Sequence, residues 1–79
     1  MTKAITWGLG TIRSKVERVL REMTGRLIIY DLTLTSVKSD DEKLVVKGTY
    51  KDPTAPGREA KFTIEFDELT LDLISCNIE

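Results

Sequence analysis

The chain contains no histidine and a single cysteine, and these two shortages remove more chemistry than any motif supplies. Histidine is the commonest general base near neutral pH and the commonest metal ligand. Without it, Ser-His and Cys-His nucleophile pairs are excluded, and a zinc site built from one thiolate and no imidazole is close to excluded. The lone cysteine, Cys76, forbids an internal disulfide, which fits a reducing compartment. No apolar run approaches the roughly 20 residues that span a bilayer, and the N-terminus lacks the basic-then-apolar layout of a secretory signal. A cytoplasmic protein without metal or cofactor is the expectation.

What is present is a composition of 41% hydrophobic and 32% charged residues over 79 positions, too apolar and too weakly charged overall for a disordered chain. One domain, residues 1–79, is expected. At this size only about 60% of the unfolded surface can be buried, so every apolar face counts. The net charge of −1 conceals a polarity. Residues 1–30 carry six basic and two acidic side chains, a net of +4, and residues 31–79 carry six basic and eleven acidic, a net of −5.

Leu9, Ile12, Val16, Val19 and Met23 recur at intervals of three and four, with Leu20 beside them and Ile5 extending the series backwards. At 100° per residue these positions from Leu9 onward share an arc of about 100°, the signature of an amphipathic helix. The pattern predicts a helix over about residues 5–24, with Thr11 as a candidate N-cap and Gly25 as its stop. After Gly25 the period becomes two. Strands are expected over about 27–37, 43–51, 60–67 and 69–78, separated by the polar turn 39–42, the Pro- and Gly-bearing loop 52–57 and a short turn at Asp67–Glu68. Ile28, Tyr30, Leu32, Leu34, Leu44, Val46, Tyr50, Phe62, Ile64 and Phe66 form one phase, the face expected to meet the helix. The phase slips at Leu73–Ile74, which reads as a bulge or bend. The fold class is therefore α+β, one N-terminal amphipathic helix packed on a three- to four-stranded antiparallel meander.

The helix end "LREMTGR" followed by strands and "AKFTIEFDELTLDLISCNIE" resembles small cystatin-like helix-plus-meander domains. The PepSY-type domains and the accessory protein O family of gas vesicles are two such groups. The resemblance is one of layout, and the inhibitory QVVAG loop of cystatins is absent. It implies a domain that binds or inhibits proteins rather than one that catalyses a reaction, and it carries over no functional residue.

Motif by motif, chemistry is scarce. "GLGTIRSK" (residues 8–15) lacks the third glycine of a dinucleotide fingerprint and the Gly-Lys-Ser/Thr of a phosphate loop. Gly8 and Gly10 instead loosen the chain ahead of the helix and leave open whether residues 1–10 are ordered. Trp7 with Ile5 and Leu9 could form a membrane-surface foot, but the sheet would then lose its cover. Asp40, Asp41 and Glu42 fall short of a calcium loop and, like Asp67 and Glu68, read as a solvated turn. Cys76 reads as a small core residue. Two functional surfaces remain. The favoured one is a protein interface, with self or with a partner, formed by Trp7, Leu27, Ile29, Val45, Ile74 and Ile78, apolar residues out of phase with the core, beside an available sheet edge. The alternative is phosphate contact by Arg13, Lys15, Arg18, Arg21 and Arg26 on the basic helix face, giving a nucleic-acid-binding protein. A small ligand held between helix and sheet is a third reading with no residue to name.

Overall fold

The computed structural model describes residues 7–52 and 57–79. One helix, α1 (Leu9–Thr24), precedes four strands, β1 (Tyr30–Asp40), β2 (Lys43–Lys51), β3 (Glu59–Asp67) and β4 (Leu73–Ile78). The strands form an open antiparallel sheet in the order β1-β2-β3-β4. This is the α+β meander that the two hydrophobic periods predict. Residues 1–6, including the expected helix start near Ile5 and the candidate foot's first residue, lie outside the described residues, as does most of the 52–57 loop.

The helix buries Ile12, Val16, Val19 and Leu20, while Leu9 and Met23 at either end of the stripe overhang the sheet and stay exposed. Gly8, not Thr11, is the N-cap. It offers no side-chain acceptor, and its carbonyl takes the Ile12 amide at 3.1 Å. At the other end Gly25 adopts φ 71°, and its amide donates to the Arg21 carbonyl at 2.9 Å. Glycine enters this left-handed region without the Cβ clash that penalises other residues, so the stop falls where the sequence places it.

The β1–β2 connection is shorter than expected. Asp40 already pairs with Lys43, leaving Asp41 (φ 50°) and Glu42 (φ 63°) as a two-residue turn. Two consecutive left-handed residues match the twist of the strands they join. The core is assembled from Ile12, Val16, Val19 and Leu20 of the helix, Leu32 of β1, Leu44, Val46 and Tyr50 of β2, and Phe62, Ile64 and Phe66 of β3, with Ile29 and Leu71 closing its ends.

The predicted phase of β1 fails at its start. Ile29 (8% exposed) is in the core, whereas Ile28 and Tyr30 are exposed. The ladder steps from Tyr30↔Lys51 to Thr33↔Thr49, so Asp31 and Leu32 together oppose Tyr50. Asp31 supplies the extra residue with φ 49°. A bulge of this kind turns the strand over, and every side chain before it changes face. A second bulge at Thr35 lies between Leu34↔Gly48 and Ser36↔Lys47, where the Thr35 hydroxyl donates to the Lys47 carbonyl at 3.2 Å. The slip read at Leu73–Ile74 is a bulge: Glu65 pairs with Ser75 and Phe66 with Leu73, leaving Ile74 over.

On the sheet face away from the helix, opposite charges stand directly across the ladder at Lys43↔Asp67 and Lys51↔Glu59. Lys43 also reaches Glu65 at 3.7 Å, and Lys51 reaches Asp31 at 3.2 Å. This face is solvated and neutral. The extents of the described structure are 43 × 20 × 20 Å.

Candidate functional site

The six residues expected to share an interface are dispersed. Ile29 is core, and Ile78 packs against the core opposite Phe62. Trp7 also packs on the core, and its indole N–H donates to the Glu68 carbonyl at 2.6 Å. Val45 is half-buried on the outer sheet face between Lys38 and Glu65. Ile74 is exposed at the β4 bulge. Only Leu27 projects fully, at 89% exposure. The expected apolar patch on the outer sheet face is therefore replaced by a polar, charge-balanced surface.

The basic helix face is likewise divided. Arg13 donates to the Leu32 carbonyl on β1 at 2.9 Å, and Arg26 to Asp52 at 3.2 Å, so both tie the helix side of the molecule to the sheet. Arg18 pairs with Glu22 one turn on, at 3.5 Å, in full solvent, where such a pair contributes little. Lys15 is half-buried beside Arg18, Glu22, Leu71 and Leu73, and Arg21 is exposed. The five cations do not form one stripe.

Both sheet edges are guarded. β1 carries two bulges, its Leu32 carbonyl is occupied by Arg13, and Lys38 stands in its one regular stretch. β4 has six residues and begins with a bulge. Bulges, edge lysines and short edge strands are devices that prevent strand addition.

Sequence reasoning missed the chemistry of the β3–β4 loop. Glu68, read as a solvated turn residue, is 1% exposed. Its amide donates to the Glu42 carbonyl at 3.0 Å, which ties the two turns at this end together, and its carbonyl receives Trp7. Asp67 organises the loop by accepting the Leu69 and Thr70 amides at 2.8 and 3.2 Å. Leu71 is buried with φ 59°, a strained conformation for a leucine. No local signal distinguishes Glu68 from Asp67, because the groups that bond the Glu68 backbone come from residues 7 and 42. Among the described residues, no group of three or more Cys, Asp or Glu side chains is placed to hold a metal ion. Burial raises the Cys76 thiol above its ordinary range and makes it a poor nucleophile. No helix among the described residues is long and apolar enough to cross a membrane.

An open groove of about 630 Å³ runs between the helix start and β1, lined by Leu9, Gly10, Arg13, Leu32, Leu34 and Val37 among others. Its only charged group, Arg13, is spent on β1, so the third reading of the sequence gains a space but no set of converging polar groups.

The remaining surface is the corner where helix gives way to sheet. Arg26, Leu27, Ile28 and Tyr30 line one shallow depression, and Arg18, Arg21, Glu22, Gly25, Arg26 and Leu27 line the next. Arg26 and Leu27 thus form the ridge shared by both. Leu27, Ile28 and Tyr30 are 89%, 58% and 50% exposed, and Met23 in the last helical turn is exposed as well. The sequence marks these residues as apolar but gives their exposure no signal, because that depends on the Asp31 bulge. Comparison with protein-family models, with curated proteins and with solved structures finds no match to this chain, so its layout and this corner stand on their own geometry.

Proposed function

We propose that the chain is a small non-enzymatic protein-interaction module that works in the cytoplasm, and that its contact surface is the corner formed by Arg26, Leu27, Ile28 and Tyr30. The observation that carries this reading is the exposure of three apolar side chains within four residues, at a turn where polar residues would serve the fold equally well. Contiguous exposed apolar surface with a charged rim is characteristic of docking sites. The arginines at the rim add specificity, since guanidinium groups engage carboxylates in two-pronged bonds. Nothing in the fold needs Leu27 to be leucine, so its replacement separates binding from folding.

The test is affinity capture from an extract of the source organism with the parent chain and a Leu27→Glu variant, with and without nuclease. A protein retained by the parent, lost by the variant and indifferent to nuclease is the expected result. Equal capture by both chains refutes the corner as the contact surface, and loss of all captured material on nuclease treatment points to nucleic acid instead.

A further inference from the structure

The apolar run that leads into β1 has two possible phases, and the structure uses the less regular one. Ile29 points into the core, while Ile28 and Tyr30 point out. This phase exists only because Asp31, at φ 49°, is held as an extra residue, which brings Tyr30 opposite Lys51. Continuing the ladder from Thr33↔Thr49 without the bulge puts Leu32 opposite Tyr50, Asp31 opposite Lys51 and Tyr30 opposite Asp52. Residues directly across an antiparallel ladder share a face. In that flat register Tyr30 and Ile28 face the helix and Ile29 faces out. Leu32 stays on the core face in both registers, so the change is confined to the residues before it. Asp31 also keeps its counter-ion: Lys51 is 3.2 Å away across the bulge and directly opposite without it.

We infer that the start of β1 is a two-position register switch that regulates the corner: the bulged position presents Ile28 and Tyr30, and the flat position withdraws them and turns Ile29 out. This deepens the proposed function and rests on the reading of the corner as a contact surface. Opposing terms balance the two positions. The bulged one buries a single isoleucine, leaves two large apolar side chains in solvent and holds Asp31 in the left-handed region, which aspartate enters at less cost than most residues. The flat one covers Ile28 and Tyr30 at the expense of Ile29, and must seat a tyrosine ring where an isoleucine was. No charge is buried by the exchange, and this sets β1 apart from its neighbours. A slip of one residue would turn Lys47 of β2, or Lys61 and Glu65 of β3, into the core. Leu27–Tyr30 contains no polar residue to hold its phase. A partner that takes Ile28 and Tyr30 binds only the bulged position, so its apparent affinity scales with the bulged fraction.

Nuclear magnetic resonance of the full chain and two variants at position 31 tests this. Asp31→Gly favours the bulge, because glycine enters the left-handed region freely. Asp31→Val disfavours it, because a β-branched residue does not. Cross-strand proton contacts of Lys51 read the register directly, with residue 30 opposite it in the bulged position and residue 31 in the flat one. The parent should show microsecond-to-millisecond exchange by relaxation dispersion at the amides of residues 28–32. Asp31→Gly should lose that exchange and keep Tyr30 opposite Lys51. Asp31→Val should stay folded with residue 31 opposite Lys51 and the Tyr30 ring protected from solvent. An Asp31→Val chain that unfolds, or that keeps Tyr30 opposite Lys51, overturns the proposal, since no second register was there to receive it. A parent without exchange at residues 28–32 overturns it too, because the two registers then never coexist. Where valine cuts the bulged fraction to about a tenth, retention of the captured partner should weaken about tenfold, and Asp31→Gly should retain it at least as well as the parent. If the register moves as expected while capture is the same for both variants, the two-position strand stands and the corner is refuted as the contact surface.

Discussion

Replacing Gly48 with alanine tests whether shape or backbone propensity governs the centre of this sheet, because the two predict opposite signs. Gly48 sits in β2 with Leu34 of β1 on one side and Phe62 of β3 on the other. A Cβ placed there would collide with the Thr33 carbonyl oxygen and stand 2.6 Å from Phe62 Cζ. Neither neighbour can yield easily. The carbonyl belongs to the ladder between the two β1 bulges, and the Phe62 ring is buried and packed 6.3 Å from Tyr50. Propensity alone favours alanine over glycine within a strand by about 0.5–1 kcal/mol. Overpacking a core by one methyl typically costs about 1–3 kcal/mol, and the need to move a strand puts this site at the upper end, so after the propensity gain is subtracted the net expectation is a loss of about 2 kcal/mol. A chain of this size has about 4–12 kcal/mol to lose. The assay is equilibrium urea unfolding followed by far-UV circular dichroism and by the fluorescence of Trp7, the only tryptophan. With a slope near 1 kcal/mol/M, the midpoint should fall by about 2 M. A midpoint at or above that of the parent would refute the steric argument and leave propensity as the governing term.

Other perturbations follow from the same geometry. Glu42→Gly, at φ 63° in the β1–β2 turn, should stabilise the fold by about 1 kcal/mol by removing a left-handed side chain; a thermal midpoint that fails to rise by about 4–8 °C contradicts the turn assignment. Trp7→Phe should cost about 1–2 kcal/mol through loss of the indole bond to the Glu68 carbonyl, read by circular dichroism, and an unchanged midpoint means the bond contributes nothing net. Burial, then the nearby Asp52 carboxylate, raise the Tyr50 phenol above its ordinary value. A group raised in the folded state contributes stability below its unfolded value of about 10 and loses it as the pH climbs through the folded value. Denaturant midpoints should therefore hold up to about pH 10 and fall above it, less steeply in a Tyr50→Phe variant, and identical slopes for the two chains would exclude Tyr50 as the source.

The helix, the four strands and their antiparallel order are legible because each rests on a local period: 3.6 from Ile12 to Leu20 and 2 from Lys61 to Phe66. The bulge at Leu73–Ile74 is legible for the same reason, since it breaks an alternation long enough to have a phase. The start of β1 is not. In the apolar run Leu27–Tyr30 no polar residue marks a face, so the choice between Ile28 and Ile29 as the core residue falls to the Asp31 bulge, which nothing upstream announces. The candidate surface was hidden by the same ambiguity. The alternation places Leu27 in an outer-face patch with Ile29, whereas the fold separates them and sets Leu27 beside Arg18, Arg21 and Arg26. Glu68 carries no local signal because the groups that bond its backbone lie 61 and 26 residues away in sequence.

That separation has a consequence for how the chain is made. Trp7 leaves the ribosome 61 residues ahead of the Glu68 carbonyl that receives it, an interval of about 3–12 s at ordinary rates of synthesis. The β1–β2 hairpin can zip as soon as it emerges, because its pairings are local. The helix cannot dock until β2 and β3 exist to receive Ile12, Val16, Val19 and Leu20, and the Trp7 latch waits for the loop that precedes β4. For those seconds the apolar stripe of the helix is finished and uncovered, so an element made early waits for partners made late.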